Sequence, residues 1–337
     1  MTLLCRLMAV LLLLAGHAAA VRAQVPTCTG KNVLDELRES DQEAHARVAA
    51  VSSSTENAKA ILWKIEKEDA PPSYLFGTMH LTDDRINALS PAVQAALAST
   101  RRLVLELEDI SPDSFMKALK GSPQMVALML YTDGRRLDER LDIEDFRKVT
   151  EILSRSGIPP SIGSIFRPWV ATLLLSVSIC EQQRIAAGVL PLDARLAKDA
   201  EGRGIKAVGL ETLESQFRAL AAVPEPDQVE MLKSSARFYD RIDDMMETMI
   251  QLYLRRELGA IWPLQIVLAE KVGVRANAFD AAEQSLLVSR NLSMRDKALE
   301  FLVEGHAFIA VGGLHLPGRG GLVALFREAG YTVTALE

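Results

Sequence analysis

The sequence has few histidines and few cysteines, five and three in 337 residues. Three cysteines exclude a disulfide scaffold, and no Cys-x-x-Cys or Cys/His cluster suggests a sulfur-held zinc. No His-Glu-x-x-His, Gly-x-Ser-x-Gly or Walker lysine loop occurs, which removes the familiar zincin, serine-hydrolase and nucleotide-loop signatures. No excess of basic charge exists. The net charge is −6, and −8 once the leader below is removed. An acidic chain has no electrostatic footprint for nucleic acid or anionic lipid. Low-complexity runs are absent, and hydrophobic residues at 49% with charged residues at 24% describe an ordinary globular composition.

The first 23 residues read as a secretory signal peptide. Arg6 supplies the basic start, residues 7–16 the apolar stretch, and Val21-Arg22-Ala23 a small-x-Ala cleavage site. Cleavage after Ala23 leaves 314 residues, destined for the periplasm or the outside of the cell. Cleavage after Ala20 is the alternative. Cys5 leaves with the leader. The mature chain then keeps Cys28 and Cys180, an even pair that suggests one disulfide in an oxidising compartment. Two buried free thiols are the other reading. Residues 168–180 are apolar but too short to span a bilayer, so no span is expected after cleavage.

The remaining pattern is α/β and helix-rich. Residues 61–67 alternate like a half-buried strand, and residues 73–77 suit its hairpin partner, with the turn at Pro71-Pro72. Ser90-Pro91 marks a helix start. Strands are expected at 102–108, 205–210, 306–312 and 331–336, and one surface helix at 30–55. Residues 111–258 are mostly helical, with one long Met-rich helix at 227–258 whose methionines read as core filler. Residues 278–303 and 319–329 complete the helices.

One comparison within the chain is informative. Residues 74–81 read YLFGTMHL and residues 309–316 read IAVGGLHL. Each is an apolar strand, then Gly-x-x-His-Leu, then a helix and a further strand. The two units read as divergent repeats whose strands lie side by side in a central sheet. Strands of α/β proteins build their sites at their C-terminal ends. Gly77 and Gly312 let the backbone turn close to a ligand. His80 and His315 then share one divalent metal, with manganese, cobalt, zinc and iron(II) all suited to imidazole and carboxylate. Glu106 and Glu108 share one face of the strand at 102–108, and one of them can reach the site. Glu211 follows the strand at 205–210 and opens a helix, either near the site or as a first-turn acid. His45 and His306 read as surface residues.

These residues resemble the TraB/GumN family, whose animal relatives include the Tiki metalloproteases. The resemblance rests on LFGTMHLTDDRI at 75–86, LVLELE at 103–108 and PLDARLAKDAEGRGIKAVGLETLESQ at 191–216. It continues in SRNLSM at 289–294 and VGGLHLPGRGGLVALFREAGYTV at 311–333. It implies a fold related to erythromycin esterase and the haem-uptake protein ChaN, as one domain over 24–337 with a helical insertion at about 111–300. It implies a hydrolase, in the Tiki branch a peptidase, with manganese, cobalt or zinc on His80, His315 and Glu106. Glu106 would bind the metal or take a proton from the attacking water, and Arg290 would stabilise the oxyanion. Glu211 and Asn291 would orient the ligands. A non-catalytic protein that captures a peptide or haem in the same cleft is the alternative, as is an accessory factor of envelope or polysaccharide assembly.

Overall fold

The computed structural model describes residues 25–109 and 112–337. The leader and its cleavage site lie outside these residues. Six strands form one mixed sheet: β1 (Leu62–Lys67), β2 (Ala70–Thr78), β3 (Arg102–Leu107), β4 (Ala207–Glu211), β5 (Ala307–Gly312) and β6 (Thr332–Ala335). Their order is β4-β3-β5-β2-β1-β6. β2, β5, β3 and β4 are parallel neighbours, and β1 runs antiparallel to β2 and β6.

The sequence explains which strands are central. Residues 307–311 read AFIAV without a polar break, and all five are 0% exposed. A strand covered on both faces has no reason to alternate. Eight helices frame the argument: α1 (Val33–Ser40), α2 (Gln42–Ser54), α3 (Pro91–Ala98), α4 (Ile179–Ala186), α5 (Leu192–Gly202), α6 (Leu213–Ala222), α7 (Ser289–Glu304) and α8 (Leu322–Glu328). α7 packs on β2, β4 and β5, and α5 on β3 and β4. Ser90 caps α3 by accepting from the Val93 N–H, with Pro91 in the first turn.

Phe76 and Phe308 meet in the core with ring centroids 5.7 Å apart. Phe308→Ala is expected to cost about 3–5 kcal/mol by leaving a cavity where the parallel strands meet. Urea unfolding measures this, and a loss below about 1 kcal/mol would show that the core does not depend on the contact.

A second apolar cluster, around Met125, Leu153, Trp169 and Leu232, belongs to helices between residues 123 and 242. Residues 192–210 and 250–302 instead contribute to the sheet's own core. The Met group behaves as core filler: Met246 is buried, and Met245 and Met249 pack against the sheet cluster. Cys28 and Cys180 form a disulfide across 152 positions. Chain-entropy reasoning gives such a closure about 5 kcal/mol. Among the described residues no helix is long and apolar enough to cross a membrane.

Several local expectations are corrected. The hairpin turns at residues 68–69, where Asp69 takes a φ of 67°, not at Pro71-Pro72. Both prolines lie in β2 opposite a register shift between Ile65 and Lys67, where no ladder bond is asked of them. The expected helix over 30–55 is two helices, broken at Asp41, whose side chain caps α2 at the Ala44 N–H. The long helix at 227–258 is also two, Glu225–Phe238 and Ile242–Leu254, joined by a 3-10 turn. Glu211 ends β4 and does not open the helix; Thr212 caps α6. His45 and His306 lie at the surface as expected, each half-buried.

Candidate metal centre

β2 and β5 pair from Tyr74↔Phe308 to Thr78↔Gly312. The two Gly-x-x-His turns therefore leave the sheet side by side, although 235 positions separate their histidines. The return strands land unequally, β3 two places from β2 and β6 three places from β5. His306 sits at the opposite end of β5 from the turns.

Glu106 is the centre of the arrangement. It projects from β3 and is 9% exposed, whereas Glu108 is exposed. Its Oε1 lies 3.9 Å from His80 Nε2 and 3.7 Å from His315 Nε2, and accepts from the Gly312 N–H at 2.6 Å. Its Oε2 accepts from Arg290 Nη2 at 2.7 Å and from Gln216 Nε2 at 3.1 Å. Arg290 also donates through Nε and Nη2 to Glu211, at 3.0 and 2.5 Å, and through Nη1 to the Leu286 carbonyl at 3.2 Å. Each of its three nitrogens thus already donates within the protein. A π-helical turn, Gln284–Val288, precedes Arg290 and Asn291. Such turns are frequent where a helix must present side chains to a site.

The far nitrogen of each ring has its own oxygen partner. His80 Nδ1 lies 2.6 Å from Asp193 Oδ2, and Asp193 Oδ1 accepts from the Thr78 hydroxyl at 2.7 Å. A carboxylate only accepts, so His80 Nδ1 carries the proton. His315 Nδ1 lies 2.6 Å from Asn291 Oδ1, and Asn291 Nδ2 donates to the Gly320 carbonyl at 2.7 Å. The Gly320 bond sets the amide's orientation, so His315 Nδ1 donates as well. Both rings therefore turn Nε2 toward the same Glu106 oxygen.

The electrostatics differ between the rings. Burial pushes the His315 imidazole down to about 4, with Arg290 helping and Glu106 opposing. Packing also pulls His80 down, but the Asp193 carboxylate, by charge and hydrogen bond, and Glu106 raise it to about 9. The His80 side chain keeps 60% of its surface open, so its carboxylate contact outweighs burial. Burial favours the neutral Glu106 carboxyl. Neighbouring charges and the Gly312 N–H hold it nonetheless at about 2. With His315 neutral near pH 7, the standing charges on Glu106 are those of His80 and Arg290.

The donor set suits a divalent ion. Two ligands about 2.1 Å from a tetrahedral ion lie about 3.4 Å apart. The observed gaps would have to close by roughly 0.3–0.5 Å to reach it. Among the described residues no group of three or more His, Cys, Asp or Glu already meets the geometry of a metal site. The centre leaves no room for a side chain at Gly312, where a Cβ would sit 3.1 Å from Glu106 Oε1 and 3.2 Å from His80 Nε2. Gly77 is glycine for a different reason, since a Cβ there would press on Leu316 and Gly313 at 3.0 and 3.1 Å. A cleft of about 1080 Å³ opens beside His80, lined by Glu106, Asp193 and Gln216 with apolar walls at Leu105, Leu190 and Ala197.

A model of the TraB/PrgY/gumN family matches residues 61–335, which contain every residue of this centre. The chain belongs to the TraB/PrgY/gumN family. It is 22% identical over 255 residues to the uncharacterized protein YbaP of Escherichia coli (strain K12), covering 75% of this chain and 87% of that protein. It is also 22% identical over 327 residues to a metalloprotease TIKI homolog of Nematostella vectensis, covering 84% of this chain and 68% of that one. No solved structure matches it.

In this TraB/PrgY/gumN member, His80, His315, Glu106, Arg290 and Asn291 lie together, and Glu211 takes the first of its two readings, beside the site. Thr78, Asp193 and Gln216 join them without any mark in the sequence. Asp193 stands in the first turn of α5 between two core leucines, Leu192 and Leu196. Its type and spacing match any helix-start acid, so no local pattern marks it. Asp193→Asn is expected to weaken metal binding 10–100-fold by loosening the His80 ring. Cobalt(II) titration measures this, and an unchanged affinity would remove Asp193 from the site.

Proposed function

We propose that this protein is an exported, metal-dependent hydrolase acting on peptides. One observation carries the reading. Asp193 and Asn291 pin the Nδ1–H of two imidazoles, so that both Nε2 atoms face Glu106 Oε1, and His80 and Glu106 line an open cleft. Metal-ligating histidines are held this way through their second nitrogen. Similarity to a protein named as a metalloprotease supports the same chemistry.

His80, His315 and Glu106 would hold manganese, cobalt or zinc. A bound divalent ion supplies Lewis acidity, lowering the pKa of water and polarising an acyl oxygen. Glu106 acts as ligand rather than proton acceptor, because its Oε1 faces both imidazole Nε2 atoms. Arg290 and Gln216 fix its second oxygen and leave Oε1 for the ion. Glu211 balances the Arg290 charge. The cleft's apolar wall accepts a peptide side chain beside the reacting bond. The leader-like first 23 residues and the Cys28–Cys180 disulfide support export.

A peptide library incubated with the metal-loaded protein tests this. Turnover that disappears in His80→Ala supports hydrolysis. Saturable binding without product overturns it in favour of a binding protein.

A further inference from the structure

The segment after His80 has no regular structure as far as Asp84. Thr82, at its middle, is nevertheless 0% exposed, and each of its polar atoms is held from outside the segment. Its N–H and its hydroxyl donate to the two oxygens of Glu181, at 2.7 Å each. Arg184 Nε donates to the Thr82 hydroxyl oxygen at 2.8 Å, and Arg184 Nη2 to the Thr82 carbonyl at 2.9 Å. Asn87 Nδ2 adds a donation to the same carbonyl at 3.2 Å. Glu181 and Arg184 both lie on α4 and are 5% and 8% exposed.

Burying a carboxylate and a guanidinium is expensive, and apolar residues of the same size often serve stability as well or better. Stability alone therefore does not account for this pair. It does fix the path of the chain two residues beyond His80. α4 is itself anchored. Cys180, adjacent to Glu181, is bonded to Cys28, and Arg184 Nη1 donates to the Pro26 carbonyl at 3.0 Å. The stretch after His315 is held differently, by backbone groups and Asn291: the Gly318 N–H donates to the Glu56 carbonyl at 2.7 Å, and the Gly320 carbonyl accepts from Asn291 Nδ2 at 2.7 Å.

We propose that Glu181 and Arg184 are positioning residues for His80, and that the Cys28–Cys180 disulfide holds their helix so that His80 reaches Glu106 only in the oxidised protein. The inference rests on the metal reading of the site for one of its two readouts only.

The test uses the full chain, with imidazole ¹⁵N–¹H spectra and cobalt(II) titration. Three forms are compared: wild type, Glu181→Met/Arg184→Met and Cys28→Ser/Cys180→Ser. In both variants the His80 Nδ1–H signal is expected to shift and broaden while the His315 signal stays in place. Cobalt affinity is expected to fall 10–100-fold. An unchanged His80 signal in folded variants overturns the proposal. So does equal movement of both histidines, which reports general loosening. If wild type binds no cobalt, the metal reading fails, and the imidazole spectra still decide the clamp. If a variant does not fold, thiol reduction of the folded wild type replaces it. The His80 signal must then shift on reduction and return on reoxidation; no shift after complete reduction overturns the proposal.

Discussion

Arg290→Met is expected to destabilise the protein by about 3–5 kcal/mol. The guanidinium joins two carboxylates, Glu106 and Glu211, whose side chains are 11% and 5% exposed. Removing it leaves two buried negative charges facing each other through Gln216, which donates to both at 3.1 Å. An unpaired buried charge costs far more than the pair contributes when intact. Urea unfolding of the metal-free chain measures the loss. Adding Glu106→Gln and Glu211→Gln to the same chain should recover most of it, because the stranded charges are then gone. A loss below about 1 kcal/mol in the single variant would mean that the cluster is solvated and that Glu106 is not held as described.

Gly312→Ala is expected to weaken metal binding roughly 100-fold with a modest effect on folding. Gly312 has φ −52° and ψ 134°, which any L-residue adopts, so backbone strain is not the reason for glycine here. Space is the reason, since the added carbon would stand against both Glu106 Oε1 and His80 Nε2. Forcing the ligands apart at overpacking cost corresponds to roughly 100-fold in affinity. Gly121→Ala, with nothing within 4 Å of its Cβ, is the control. Cobalt titration and urea unfolding of both variants separate the effects. Metal affinity unchanged in Gly312→Ala would place the ion elsewhere.

Much of the site was legible because it lies on strand ends with short local signatures. The paired Gly-x-x-His turns identify His80 and His315, and alternation along β3 selects Glu106 or Glu108. The choice between those two was not legible, since burial decides it and burial is a tertiary property. The residues that hold the ligands were harder. Asp193 and Gln216 come from amphipathic helices in which a polar residue facing the core reads like one facing water. Glu181 and Arg184 had no sequence mark beyond the neighbouring Cys180. Helix breaks behaved similarly: Asp41 ends one helix and starts the next through a cap, while the periodic pattern continues across it. The hairpin turn was misplaced because prolines usually mark turns, and here a register shift lets two of them lie within a strand.

The proposed metal site needs His80, His315 and Glu106 together. Metal content after purification with manganese, cobalt or zinc tests it most directly. One divalent ion per chain in the wild type, lost in His80→Ala and in His315→Ala, is the result expected. Equal and negligible metal in all three proteins would contradict it.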